Sequence, residues 1–275
     1  MRLFESFKIK FEKPDWARDP ELGLVDTVLE QHPHLFALLQ EDITKGQKTS
    51  IFGRKDTPSV EQIVRAAIYK ELKGLEYREL EYHQIDSRIC AMFIKIDDLR
   101  PFSFQLYQKY ISQISPDKLK KLLFELNKIA IDEGIEDLEK IRQDSTVVET
   151  NIHYPTNNSI LWDCIKEAYQ VPRDYATDGG YASLSNQSHG KGKGIINIVF
   201  NKIVGSLRNI ATSKNMETRL KKWRSGMEAV ISNIKRGFNL RRCTWKGWEH
   251  FEAKVLWSVI AYNIRVMAAH VVMLV

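Results

Sequence analysis

The apolar repeat of this 275-residue chain changes period at Gly134, so the sequence predicts a helical first part and a second part that includes strands. Upstream, Ile63, Val64, Ala67, Ile68 and Leu72 mark one helical face that ends at Gly74. Thr57 or Ser59 can cap that helix, Pro58 suits its first turn, and Glu61 stands near a capping-box position. YRELEYHQIDSRICAMFI predicts a second helix and FQLYQKYISQI a third, with Arg100-Pro101 between them. Ser115-Pro116-Asp117 opens a fourth, carried by Leu119, Leu122, Leu123, Leu126 and Ile129. Residues 58–137 are expected to form a helical domain. Residues 1–57, broken by PDWARDP, QHPH and TKGQKTSIFG, are expected to be a loosely organised leader.

Beyond Gly134 the β-branched run IRQDSTVVET predicts a short strand, NIHYPTNNS a loop and ILWDCIKEAYQ a helix. VPRDYATDGG predicts a short strand entering a Gly-Gly turn, HGKGKG a polar loop and IINIVF a buried strand. Helices are expected from Glu217 to Arg236 and from Trp248 to Val275. The expected fold class is α+β, predominantly helical, with a second unit over 138–275. The glycine-lysine run at 190–194 reads either as a phosphate cradle or as a flexible loop, since it lacks Walker spacing. The Tyr69, Tyr77 and Tyr82 face with His83 reads either as packing or as a DNA contact.

A hydrophobic content of 43% fits a globular protein. Cys90, Cys164 and Cys243 are too widely spaced to suggest a disulfide framework or a thiolate zinc site, and they suit the cytoplasm. The opening MRLFESFKIKFEKPD does not read as a secretory segment. Arg265 within the apolar C-terminal stretch argues for a buried helix and against a membrane span. Net charge is +6, unevenly distributed: from Lys191 onward 16 Lys and Arg face four Glu, so residues 1–190 are net acidic. The basic end is a candidate surface for a polyanion, or a solvated basic face.

Three acids stand in contexts suited to divalent metal and phosphate: Asp144 in a strand, Asp178 beside Gly179-Gly180, and Glu228 in a helix. Carboxylates converging from separate elements can hold hard cations that activate a nucleophile and stabilise a leaving oxygen in phosphodiester chemistry. Arg224 and Lys235 fall near the helical face of Glu228, where they read either as phosphate contacts or as helix-stabilising ion pairs.

Together DSTVVETNIHYPTNNSILWD, TDGGYAS and RSGMEAVISNIKRGFNLRRCTWKG resemble the DDE transposases of bacterial insertion sequences, in the group with an InsH-like helical N-terminal domain. The resemblance runs from about Lys55 to Ala268 and rests on the joint order of the motifs. It implies a ribonuclease-H-like core, with Asp144 on the first strand, Asp178 after a later strand and Glu228 on a late helix. These three would be catalytic metal ligands for Mg²⁺ or Mn²⁺, two ions if the site assembles. Arg224, Lys235, Arg236, Arg241 and Arg242 would hold DNA backbone. The implied partners are element terminal repeats and target DNA, with homo-oligomerisation left open. The family's tyrosine, three positions before the arginine, is Lys221 here, and Trp223 is a candidate to supply the aromatic packing.

The interval from Asp144 to Asp178 is short for that family. Two strands, a helix and their turns would need roughly 30 to 40 further residues, so an internal deletion near Gln170 and Val171 is inferred. The sequence reading is a transposase whose activity is expected to be impaired. Its alternative is a non-catalytic remnant that binds DNA or co-assembles with an intact copy.

Overall fold

The computed structural model describes residues 16–45, 57–96, 101–135, 139–142, 149–150, 172–203 and 205–273. Asp144 and the inferred deletion point at 170/171 lie outside the described residues. The chain divides into two compact units, one formed by Met1–Ala130 with Arg236–Val275 and the other by Ile131–Lys235. Residues 58–130 and 139–235 thus fall in different units. Residues 236–275, expected with the second unit, group with the first.

The first unit is helical. Helix α1 spans Pro20–Gln31, α2 His34–Ala37 and α3 Gln40–Thr44. Asp19 caps α1 by accepting from the Leu22 amide at 3.1 Å, and Pro20 begins the helix without needing an N–H partner. Leu22, Val25, Val28 and Leu29 recur at helical spacing and are buried, as are Leu35, Leu39 and Ile43. This stripe makes 16–45 part of the core, where a loosely organised leader was expected.

Helix α4 (Val60–Leu72) starts at Ser59 with a reciprocal capping box. The Gln62 amide donates to Ser59 Oγ at 3.1 Å, and the Ser59 amide donates to Gln62 Oε1 at 2.9 Å. Glu61 is therefore free of that role and pairs with Arg65 and Lys95. The expected second helix is two, α5 (Tyr77–Asp86) and α6 (Arg88–Phe93), because Ser87 leaves helical geometry and its hydroxyl caps the Cys90 amide at 3.2 Å. Helices α7 (Phe104–Ser112) and α8 (Pro116–Asp132) follow, and Gly134 takes φ +70° beyond α8.

The second unit holds a parallel sheet of β1 (Lys140–Arg142), β3 (Asp174–Thr177) and β4 (Asn197–Phe200), in the order β1-β3-β4. Strand β2 is the two-residue piece Glu149–Thr150. Arg142 pairs with Ala176, and Ala176 with Val199. Helix α9 (Leu184–Gly192) occupies much of the expected HGKGKG loop. Ser183 caps it at the Asn186 amide, 3.1 Å away, and Gly190 lets it lie on β4. A Cβ at Gly190 would come within 2.7 Å of Ile198 Cδ1. Helix α10 spans Lys214–Gly237.

The two-residue strand β5 (Arg242–Cys243) and helix α11 (Trp248–Met273) complete the chain. Along α11, Trp257, Ile260, Ala261, Ile264, Met267 and Ala268 are buried, and the helix packs on α4 and α1. Those contacts explain why 236–275 joins the first unit. Among the described residues, no helix is long and apolar enough to cross a membrane.

Charge is buried beside this packing. Lys254 on α11 and Lys70 on α4 both pair with Glu71, Lys70 at 3.0 Å, and Ser258 Oγ donates to the same carboxylate at 3.3 Å. Lys70, Glu71, Lys254 and Ser258 are all buried. Burial opposes ionisation of Glu71, yet the charges of Lys254 and Lys70 outweigh it and hold the carboxyl below its ordinary range. Arg65 is likewise fully buried, donating to Asp26 at 2.5 Å, to Glu61 at 2.8 Å, to Glu30 and to the Phe93 carbonyl at 3.1 Å.

Removing one partner of a buried pair costs more than the pair contributes, because the survivor stays charged and out of water. Glu71→Gln is expected to destabilise the protein by ~3–5 kcal/mol in urea unfolding, since it strands two ammonium groups. Lys254→Met is expected to cost less, since Lys70 still answers Glu71. Because folding lowers the Glu71 pKa, its contribution is complete above the ordinary carboxylate range and is lost as pH falls through the lowered value. That part of the acid-side loss should vanish in Glu71→Gln.

Candidate active site

Side chains along β3 and β4 alternate between two faces. On one face Ala176 and Val199 pack with Leu220 of α10, joined by Ala211, Met216 and Trp223. On the other, Ile198, Phe200 and Ile195 pack with Tyr175, Tyr181, Ala182, Ile203, Leu207 and Ile210. Met216, Leu220, Trp223 and Arg224 follow helical spacing, so the apolar stripe that seats α10 on the sheet also carries Arg224 inward. Trp223, the residue considered as an aromatic substitute at the position of Lys221, lies in this contact.

Polar side chains lock the same elements. Asn197 Nδ2 donates to Asp174 Oδ1 at 2.6 Å in the interior, and Asn197 Oδ1 accepts from the Thr212 amide at 2.7 Å. Asn209 accepts from the Phe200 amide at 2.8 Å and donates to Glu217 at 2.7 Å. Lys221 also donates to Glu217, at 2.6 Å, and the Lys221 and Asn209 hydrogen bonds hold the Glu217 carboxyl below its ordinary range. Ser213 caps the start of α10 at the Met216 amide, 3.1 Å away. Asn197, Asn209 and Glu217 escaped the sequence reading, because isolated amides and one surface-like Glu carry no local pattern.

Asp178 follows β3 directly and begins the 3-10 turn Gly179–Tyr181. Arg224 lies 3.8 Å from Asp178 Oδ1 and 3.6 Å from Glu228 Oε1, one helical turn along α10. Arg224 is 5% exposed, whereas the Asp178 and Glu228 side chains are 41% and 72% exposed. Thus the structure gathers Asp178 and Glu228 about one guanidinium. Arg224, expected at DNA backbone, faces these carboxylates and is buried. Lys235 is half-buried at the end of α10, while Arg236, Arg241 and Arg242 are exposed.

Asp178 and Glu228 carry oxygen donors of the type that hard divalent cations take, with the Arg224 guanidinium within 4 Å of both. Among the described residues, no group of three or more His, Cys, Asp or Glu is placed to hold a metal ion. Asp178 and Glu228 are the described acids that the metal expectation named.

Gly179 meets a tight approach, since a Cβ there would lie 2.4 Å from the Lys202 carbonyl oxygen and 2.5 Å from that of Asn201. Gly180 faces open space. Gly179→Ala should therefore push the Asp178 turn away from the end of β4 and lower stability by about 1–3 kcal/mol, while Gly180→Ala changes it little. Urea unfolding of the two variants side by side checks this.

Comparison with known proteins adds one finding. Residues 185–268 match the family model described as Transposase DDE domain. That segment contains Arg224, Glu228, Lys235, Arg236, Arg241 and Arg242 and begins after Asp178. The search of curated proteins and the search of solved structures give no match. Over less than a third of its length, then, this chain is similar to the DDE domain of transposases.

Proposed function

We propose that the chain is a DDE-type transposase, by descent a metal-dependent enzyme that cleaves DNA strands at element ends and joins the freed 3′-hydroxyl to target DNA. The observation that carries the reading is the meeting of Asp178, from the end of a parallel strand, with Glu228, from the helix seated on that sheet. The family match over the Glu228 segment supports it. Asp144 lies outside the described residues and is proposed from its sequence context alone. Asp144, Asp178 and Glu228 are the proposed catalytic and metal-binding set, for Mg²⁺ or Mn²⁺. The metal, when bound, supplies charge stabilisation at the phosphoryl oxygens. Lys235, Arg236, Arg241 and Arg242 are proposed to hold phosphates, acting through charge and not base sequence. The sheet is proposed to be the remainder of a ribonuclease-H-like core of a bacterial insertion-sequence enzyme.

A second reading has its own observation. The Asp144–Asp178 interval is short for the family that the sequence resembles. On this reading the chain is a DNA-binding or co-assembling remnant with impaired chemistry, because a misplacement of about 1 Å can cost on the order of a hundredfold in rate.

The two readings differ in one assay. The full chain is incubated with labelled element-end DNA and Mg²⁺ or Mn²⁺, beside Asp144→Ala, Asp178→Ala and Glu228→Ala. Weak metal-dependent nicking, lost in all three variants, is expected. Robust cleavage and strand transfer abolished in Asp144→Ala would remove the argument from the short interval. Nicking that survives all three substitutions would overturn the active-site assignment.

DNA binding is tested separately. Arg241→Ala with Arg242→Ala is expected to weaken gel-shift affinity several-fold and to reduce the salt slope by about one to two units, as two phosphate contacts would. Unchanged binding would exclude these two residues.

A further inference from the structure

Arg224 does something in this fold that a phosphate-gripping arginine would not. It is 5% exposed, it sits on the apolar stripe of α10 beside Leu220 and Trp223, and its guanidinium is directed at Asp178 and Glu228. The two carboxylates come from different elements, the turn after β3 and the middle of α10. A single cation within 4 Å of both offsets the repulsion that would otherwise part them. Arg224 itself is carried inward by the packing that seats α10, so it arrives with the fold and needs no ligand to draw it in.

We infer that Arg224 is a positioning residue, an internal counter-ion that holds Asp178 and Glu228 together before any metal is present and competes with a divalent cation for them. This rests on the metal-site reading above and adds to it the order of events. Metal entry is an exchange of one cation for another, so whatever strengthens the arginine bridge weakens metal binding and the reverse. The always-protonated guanidinium cannot leave by losing its proton, so the exchange requires the side chain or α10 to shift.

The test uses the full chain without DNA and Mn²⁺ as the probe, with free Mn²⁺ read by electron paramagnetic resonance. Arg224→Gln, which keeps much of the bulk and removes the charge, is expected to bind Mn²⁺ about tenfold more tightly than the unaltered chain, the scale of one like charge removed from a half-solvated site. Arg224→Lys should restore the weaker binding, and Asp178→Asn with Glu228→Gln should abolish it. Circular dichroism and the urea midpoint verify that each variant is folded. A folded Arg224→Gln that binds Mn²⁺ no more tightly than the unaltered chain overturns the competition.

A second readout does not depend on metal affinity. Modification of Arg224 by phenylglyoxal, mapped by peptide mass spectrometry, should be slow in the metal-free chain. It should rise in the Asp178→Asn, Glu228→Gln double variant and also on adding Mn²⁺ to the unaltered chain. No rise in the folded double variant overturns the bridge itself. If neither the unaltered chain nor Arg224→Gln binds Mn²⁺, the metal-site reading fails and the competition fails with it, while a rise in the double variant still supports the bridge.

Discussion

A cation taken out of water must find negative charge around it, and this requirement recurs at the main junctions of the structure. Arg65 lies among Asp26, Glu30 and Glu61, joining α1 to α4. Lys70 and Lys254 share Glu71, joining α4 to α11. Arg224 lies between Asp178 and Glu228, joining α10 to the turn after β3. In the first two the carboxylates serve the cations and the assembly is structural. In the third, Glu228 is the most solvent-accessible carboxylate of the three assemblies, at 72% exposed.

The placement of Asp178 and Glu228 follows from packing. The packing of Leu220 and Trp223 on Ala176 and Val199 sets where α10 rests, and so brings Glu228 to the strand end that carries Asp178. The close approach of Gly179 to the Lys202 carbonyl sets the turn. Each acid is therefore placed by apolar contacts and backbone fit.

Much of the local structure was legible in order along the chain. The stripe from Ile63 to Leu72 and the leucines from Leu119 to Leu126 specify their helices, and VPRDYATDGG and IINIVF contain the strands that were read in them. Misreadings came where a single side chain decided the outcome. Ser87 ends α5 by turning its hydroxyl to the Cys90 amide, and Gly190 leaves room for α9 to lie close to Ile198. In 16–45 the proline and histidine breaks concealed an apolar stripe whose partners are helices far away in sequence.

The sequence by itself determined the helical character of both long C-terminal segments, the acid-glycine-glycine turn, and the spacing of Arg224, Glu228 and Lys235 on one helix, because these depend on neighbours within a few residues. The tertiary structure alone decided that α11 completes the N-terminal unit, since burying its apolar face requires α1 and α4. It also decided that Arg224 faces two carboxylates and not solvent. Helical periodicity places a residue on a face, but only the sheet under that face determines whether it is turned toward water or toward charge.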